Sequence, residues 1–566
     1  MSLFARLAPS LVPLIELAFV LLTVFLIYLG RNKAPRSSHL EAALSRLARR
    51  KTLSLIFVAL LVLLVRAALI PLLGIPSPRW DDEFSYILAA KTFASGRLTN
   101  PTPPMWQHFE SFHILMRPTY MSMYPPAQGL VLAVGILLAH NPWTGQWLAT
   151  AAACAALTWM LQGWMPPGWA LFGGLLCVMR LGILSYWMNG FWGTSIAALG
   201  GALVLGALPR IQNFLRPRDA ILMAIGLAIL ANSRPYEGMI LSLPVAAALL
   251  LWLAGKRRPS TSIAIRRFVF PITGVLVLAA GAMGFYFWRV TGSPVRMPYQ
   301  LNRDTYAIAP YFIWGKIKPE PHYNHAVMRD FYTRWERDEF LRTQTARGLL
   351  RHIVDKIADL WQFYLSPALT LPLLAFPCVV RDRRMRFVLW ASAFFPLGTL
   401  VPETWTFAHY VAPATGLLYL VVVQCLRHLR LWRWNGHPVG YALVRATPAI
   451  CLMMLVLRVT AVALHTPIEP PWPRGNLERV AIENELEHRP GKQLVIVRQG
   501  PINIDKEWVY NDPDIPASKV IWARDMGAND NAELLDYFRD RQAWLLVVSD
   551  SATDNQPPML APYPRP

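Results

Sequence analysis

The sequence predicts an all-α polytopic membrane bundle of about 11 to 13 spanning helices with a small extracytoplasmic α/β domain at its C-terminal end. Three observations predict it. Of 566 residues, 54% are hydrophobic and only 16% charged, far more apolar than a soluble globular chain of this length needs. Apolar runs recur at the roughly 20-residue length that a hydrocarbon core of about 30 Å takes. After residue 465 the chain changes character, to short apolar runs alternating with helical periodicity.

The candidate spans lie near 10–30, 52–73, 126–140, 145–163, 169–187, 191–208, 219–234, 237–254, 268–288, 360–380, 387–402, 408–426 and 439–464. The first follows a single early Arg6 and has no convincing small-residue cleavage site, so it reads as an uncleaved helix. Residues 1–51 form this extra helix and its connector, 52–465 the transmembrane domain, and 466–566 the small domain. In the last, "QLVIVR" (493–498), "KVIWAR" (519–524) and "WLLVVS" (544–549) have strand length, and 476–489 and 531–540 are helical. Pro-rich patches such as "NPTPP" and the terminal "PPMLAPYPRP" read as loop and frayed end.

The net charge of +21 invites a nucleic-acid partner, but its distribution excludes one. Residues 1–465 hold 44 Lys/Arg against 18 Asp/Glu, whereas 466–566 hold 11 against 16. Half of the 44 lie in the short connectors 31–51, 209–218, 255–267, 381–386 and 427–438, the bias of cytoplasmic loops. With these inside, the loops 74–125 and 289–359 and the tail are extracytoplasmic, in what reads as a bacterial inner-membrane protein. Three spans between 126 and 187 break the parity this needs: either 169–187, after "MPPGW", is re-entrant or interfacial, or the span boundaries lie elsewhere. All five cysteines fall in apolar stretches, which leaves no disulfide framework.

Against so few acids, "RWDDEFSY" (79–86) sets Asp81, Asp82 and Glu83 together at an outer helix mouth. One reading is a surface helix, with Asp81 as N-cap and acids in the first turn favoured by the helix dipole. The other is catalytic: a carboxylate beside low-dielectric lipid has its pKa raised toward the working range and can take a proton from an acceptor hydroxyl.

The Asp-Glu pair in the first large extracytoplasmic loop, with the Pro-Pro pair opening the next apolar helix in "MYPPAQGLVLAVG" (123–135), resembles the GT-C glycosyltransferases. Within them it is closest to the protein O-mannosyltransferase and lipid A aminoarabinose-transferase branch. The resemblance covers roughly 52–465, its specific residues concentrated in 79–135. It implies inverting transfer of a sugar from a polyprenyl-phosphate donor to an acceptor hydroxyl on a lipid, glycan or protein. Asp82 would be the general base, Glu83 its neighbour, and Asp81 an addition without a counterpart. Many relatives have His where this chain has Tyr124, and Asn189 in "YWMNGFWG" stands where some have a second acid. These departures speak against a divalent cation, and no metal ligand or other cofactor is assigned.

Three further features sit at outer helix ends. "ANSRPYEGM" (231–239) offers Arg234, a permanently charged partner for a donor phosphate, with Glu237; the bland alternative is an interfacial ion pair. "PETWTFAHYVAP" (402–413) offers Glu403, and His409 and Tyr410 for the donor head group, against a plain interfacial belt. The loop 289–359, with twelve Lys/Arg and eight Asp/Glu, reads as a solvated helix that covers substrate. His322 and His325, and His108 and His113 in "QHFESFH", lack any strong zinc spacing. A transporter or flippase is the rival class, but the acids avoid span centres, Glu16 being the main exception. A glycan polymerase or ligase would share the lipid-linked donor.

Overall fold

The computed structural model describes residues 11–30, 39–256, 258–466, 468–500, 506–548 and 557–564; part of the first basic connector, 31–38, lies outside them. Helices occupy every apolar segment predicted above. Eight among the described residues are long and apolar enough to cross a membrane, from Val12–Leu29 to Val439–Ala463, and Pro126–Ala139 and Pro167–Gly182 are apolar but shorter. Many open on proline, as at Pro126, Pro142, Pro167, Pro217 and Pro235, where the missing N–H has no intrahelical partner to lose.

The described helix ends beside three of the basic connectors meet at one end of the bundle. Gln162 Nε2 donates to the Lys51 carbonyl at 3.1 Å, Arg445 pairs with Glu41 at 2.7 Å, and Gln424 Nε2 donates to Asp382 at 2.7 Å. At the other end the helix Asp81–Ala94, the segment 289–359 and the C-terminal domain interlock. Tyr306 donates to Glu110 Oε1 at 2.7 Å, Tyr120 to the Asn511 carbonyl at 2.8 Å, and Phe84 packs on Tyr510 at 4.9 Å between ring centroids.

Parity is restored without making 169–187 the odd segment. Pro126–Ala139 is the helix that stays at one end: Gln128 Nε2 donates to Gln146 and to the Phe191 carbonyl, both at 2.8 Å, and Trp143 Nε1 donates to the Met188 carbonyl at 2.7 Å. Both of its ends therefore lie beside residues 187–191. Its 14 residues reach about 21 Å at 1.5 Å per residue, short of the hydrocarbon core. Pro142–Trp164 then runs to the Lys51 end, and Pro167–Gly182 returns.

In the C-terminal domain the strands β3 (Lys492–Gln499), β4 (Val520–Arg524) and β5 (Arg541–Val548) are parallel, in the order β4-β3-β5. The terminal residues read as frayed instead add β6 (Met559–Pro562), antiparallel to β5. Proline lacks a ladder donor, and an edge strand is where a sheet tolerates it. A two-residue hairpin, β1 (Ile114–Leu115) with β2 (Met121–Ser122), closes the loop after the helix Asp81–Ala94.

Candidate active site

The helix Asp81–Ala94 starts from Trp80, whose extended backbone makes it the N-cap, so Asp81 is the first helical residue rather than the cap. Successive helical residues project about 100° apart. The three acids therefore do not share a direction. Asp81 and Asp82 line a cavity of about 760 Å³, whereas Glu83 is turned away from it. Glu83 Oε2 accepts from the backbone N–H of Arg79 (2.9 Å) and Trp80 (3.3 Å), and Oε1 from that of Phe191 (2.9 Å). Burial pushes this carboxyl up to about 7, against the backbone amides that favour its charge. Gly190 is needed for this approach, because a Cβ there would lie 2.8 Å from Glu83 Oε1. Glu83 is thus a clamp between the helix start and residues 189–191, not a second carboxylate in the cavity with Asp82.

The partner that sequence spacing set aside is His113. Its Nδ1 lies 2.9 Å from Asp82 Oδ1 and 3.4 Å from Asp81 Oδ2. The chain brings it there in a left-handed turn (φ 58°), held by Ser85 Oγ donating to the His113 carbonyl at 2.6 Å and by the Met123 N–H donating to the same carbonyl at 3.1 Å. Burial alone disfavours its charge, but Asp81 and Asp82 outweigh this and raise it to about 9. Asp81 is pushed up to about 7 by burial, His113 opposing and Asp82 and Glu507 adding to it. The ligand atoms of Asp81, Asp82 and His113 all lie within 4.8 Å of one another. With a neutral imidazole this trio has the donors to hold a divalent cation; with an imidazolium it is an ion pair.

Tyr124 donates its hydroxyl to Asp82 Oδ1, and its ring stacks on Tyr86 at 4.5 Å. On the opposite wall, Arg234 ends the turn before Pro235–Ala254 with its guanidinium 4.1 Å from the Tyr410 ring centroid and 3.9 Å from Glu237 Oε1. His409 packs on Trp192 at 4.4 Å and on Tyr410 at 4.8 Å. Arg234, Glu237, His409, Tyr410 and Tyr124 thus line the same cavity as Asp81 and Asp82.

The segment 289–359 contributes Tyr299, Tyr311 and the buried pair Arg303–Glu336, 2.5 Å apart, none of which the sequence singled out. Glu403 is buried beside the site with Oε2 accepting from Thr406 at 3.1 Å. Asn189 is structural: its Oδ1 accepts from Arg66 Nε at 3.0 Å and its Nδ2 donates to the Ile183 and Ser185 carbonyls. His322 is exposed, His108 contacts the Arg524 carbonyl and His325 the Gln107 carbonyl and, at 3.5 Å, Glu110 Oε2; none of the three lines the cavity of Asp81 and Asp82.

No protein-family model matches this chain, and no curated protein does. Its structure is similar to ArnT from Cupriavidus metallidurans bound to undecaprenyl phosphate, at 12% identity over 88% of this chain and 93% of that one, with a TM-score of 0.48. The apo state of that protein gives 0.47. An Archaeoglobus fulgidus oligosaccharyltransferase tethered with an acceptor peptide is similar at 11% identity over 88% of this chain and 68% of that one, with a TM-score of 0.42. These are GT-C glycosyltransferases. At such identities and TM-scores the likeness carries no residue role or substrate over to this chain.

Proposed function

We propose that this chain is an integral membrane glycosyltransferase of GT-C type that moves a hexosyl or pentosyl unit from a polyprenyl-phosphate donor to an acceptor hydroxyl of a lipid, glycan or protein, with inversion. The active site faces the periplasm from the bacterial inner membrane. One observation carries the reading: a carboxylate, Asp82, and a half-buried cation, Arg234, from segments 152 residues apart line one cavity at the end of a membrane bundle.

Asp82 takes the acceptor proton. Its Oδ1 is occupied by Tyr124 and His113, which leaves Oδ2 without a hydrogen-bond partner among the described residues. The acceptor oxygen then attacks the anomeric carbon as the bond from that carbon to the phosphate oxygen breaks. Arg234 meets the negative charge that grows on the leaving phosphate, in a site dry enough for that attraction to count. His409 and Tyr410 hydrogen-bond and stack against the head group.

The test uses the purified chain in proteoliposomes with a panel of polyprenyl-phosphate sugars, reading release of polyprenyl phosphate. Asp82→Asn keeps shape and polarity but removes the base, and is expected to cost about 10²–10⁴-fold in rate while insertion is unchanged. Asp81→Asn, which retains an oxygen for the Asp82 N–H, is expected to cost far less. Equal, mild effects at both positions would return the acids to a surface-helix role.

A further inference from the structure

Behind Trp80, Trp192, Phe407 and His409 lies a second cavity of about 560 Å³, and its lining has a different chemistry. Arg79, Arg180, Arg458 and Arg474 all reach it. Three have carboxylate partners. Glu469 pairs with Arg458 at 2.7 Å and Arg474 at 2.9 Å. Glu16, from the first helix, lies 3.4 Å from Arg180 while accepting from Ser366 Oγ at 2.8 Å and the Ala368 N–H at 3.0 Å.

Arg79 has none. Its guanidinium makes no ion pair among the described residues, and its Nε is buried without a hydrogen bond. The remaining acid of the cavity, Glu83, has both oxygens committed to backbone amides. The guanidiniums also press on one another: burial, with Arg458 and Arg79, holds Arg474 down to about 10 although Glu469 favours its charge. Like charges gathered around one cavity with a cation left over are relieved by an anion.

The rest of the wall says what kind of anion. Val12 and Pro13 of the first helix, with Leu184 and Phe363, are apolar. That helix turns Leu14, Leu17, Leu21 and Phe25 outward, where a bilayer would cover them.

We infer that the second cavity binds the phosphate-bearing headgroup of an anionic lipid, with the first helix as its membrane-side wall and Arg79 as the cation that the headgroup completes. That this lipid is the acceptor rests on the transferase reading above; its binding does not. A headgroup there lies one aromatic layer from the carboxylate cavity.

The test is native mass spectrometry of the full chain titrated with dioleoylphosphatidic acid or with phosphatidylcholine of the same chains. Saturable binding of phosphatidic acid alone is expected. Arg79→Gln should weaken it by roughly tenfold or more, the worth of one charge-assisted hydrogen bond, while Arg234→Gln, in the other cavity, leaves it unchanged. Binding indifferent to Arg79→Gln overturns the site, and an equal loss in Arg234→Gln moves the headgroup to the first cavity. Displacement of the lipid by millimolar inorganic phosphate would make it a soluble-anion site instead. A chain that binds the lipid but transfers no sugar would fail the transferase reading alone.

Discussion

Tyr124 and Asp82, 42 residues apart, are joined by a hydrogen bond from the phenol hydroxyl to Asp82 Oδ1. The tyrosine precedes the Pro-Pro turn into Pro126–Ala139, and the aspartate lies in the first turn of Asp81–Ala94, so the bond ties two helices packed on each other to one carboxylate.

Tyr124→Phe keeps the stack on Tyr86 and removes only the hydroxyl. A hydrogen bond to a charged group contributes about 1.5–3 kcal/mol, so kcat is expected to fall roughly 10- to 100-fold with donor KM little changed. Steady-state release of polyprenyl phosphate measures it. A rise in KM alone would make Tyr124 a binding residue.

Arg234→Lys keeps the charge but not the planar stack on Tyr410 or a bidentate grip. Donor KM is expected to rise about tenfold, as one such contact is lost, and Arg234→Gln should be worse. If both variants bind a polyprenyl-phosphate analogue as tightly as the parent, Arg234 does not hold the donor.

His325 carries a pH dependence. Burial, with Arg524 adding to it, lowers its imidazole to about 3, from an ordinary value near 6.5. The unfolded chain therefore binds the proton first as pH falls, so this group withdraws stability from about pH 6.5 downward, at up to about 1.4 kcal/mol per pH unit. Melting temperatures measured from pH 7 to pH 4 are expected to fall less steeply for His325→Gln than for the parent. Parallel curves would contradict the buried neutral imidazole.

The pair Arg524–Glu507, 3.2 Å apart and nearly inaccessible, docks the C-terminal domain: Arg524 Nε also donates to the Glu110 carbonyl at 2.6 Å. Removing one partner of a buried ion pair costs about 3–5 kcal/mol. Arg524→Gln is expected to expose the region around residue 470 to limited proteolysis and to lower transfer, because Glu507 also bonds to Ser111 in the loop that carries His113. Unchanged digestion would show that other contacts suffice.

Reporter fusions at residues 40, 262 and 432 should all report cytoplasm. Exterior signals from any two would reverse the proposed orientation, and with it the side proposed for the Asp82 cavity.

The helices were legible in the sequence because a bilayer leaves backbone groups no partner but their own chain, so spans must be both apolar and helical. The strands of the C-terminal domain were legible for a related reason: buried parallel strands must be apolar along their length, as β3 is from Leu494 to Val497. The concentration of acids at 81–83 made that stretch a candidate for the same cause, the cost of charge beside lipid. Tertiary structure decided which atoms meet. Glu83 is adjacent to Asp82 in sequence yet faces the arginine-lined cavity, because a helix turns about 100° at each residue. His113 reaches the carboxylates because a hairpin and the Ser85 hydroxyl fold a distant loop back onto the helix, and no local spacing encodes that return. Which short apolar helix stays at one end depends on the contacts among Gln128, Gln146 and Phe191, from three separate segments. Apolar runs report burial, whereas direction and pairing depend on contacts between segments far apart in the chain.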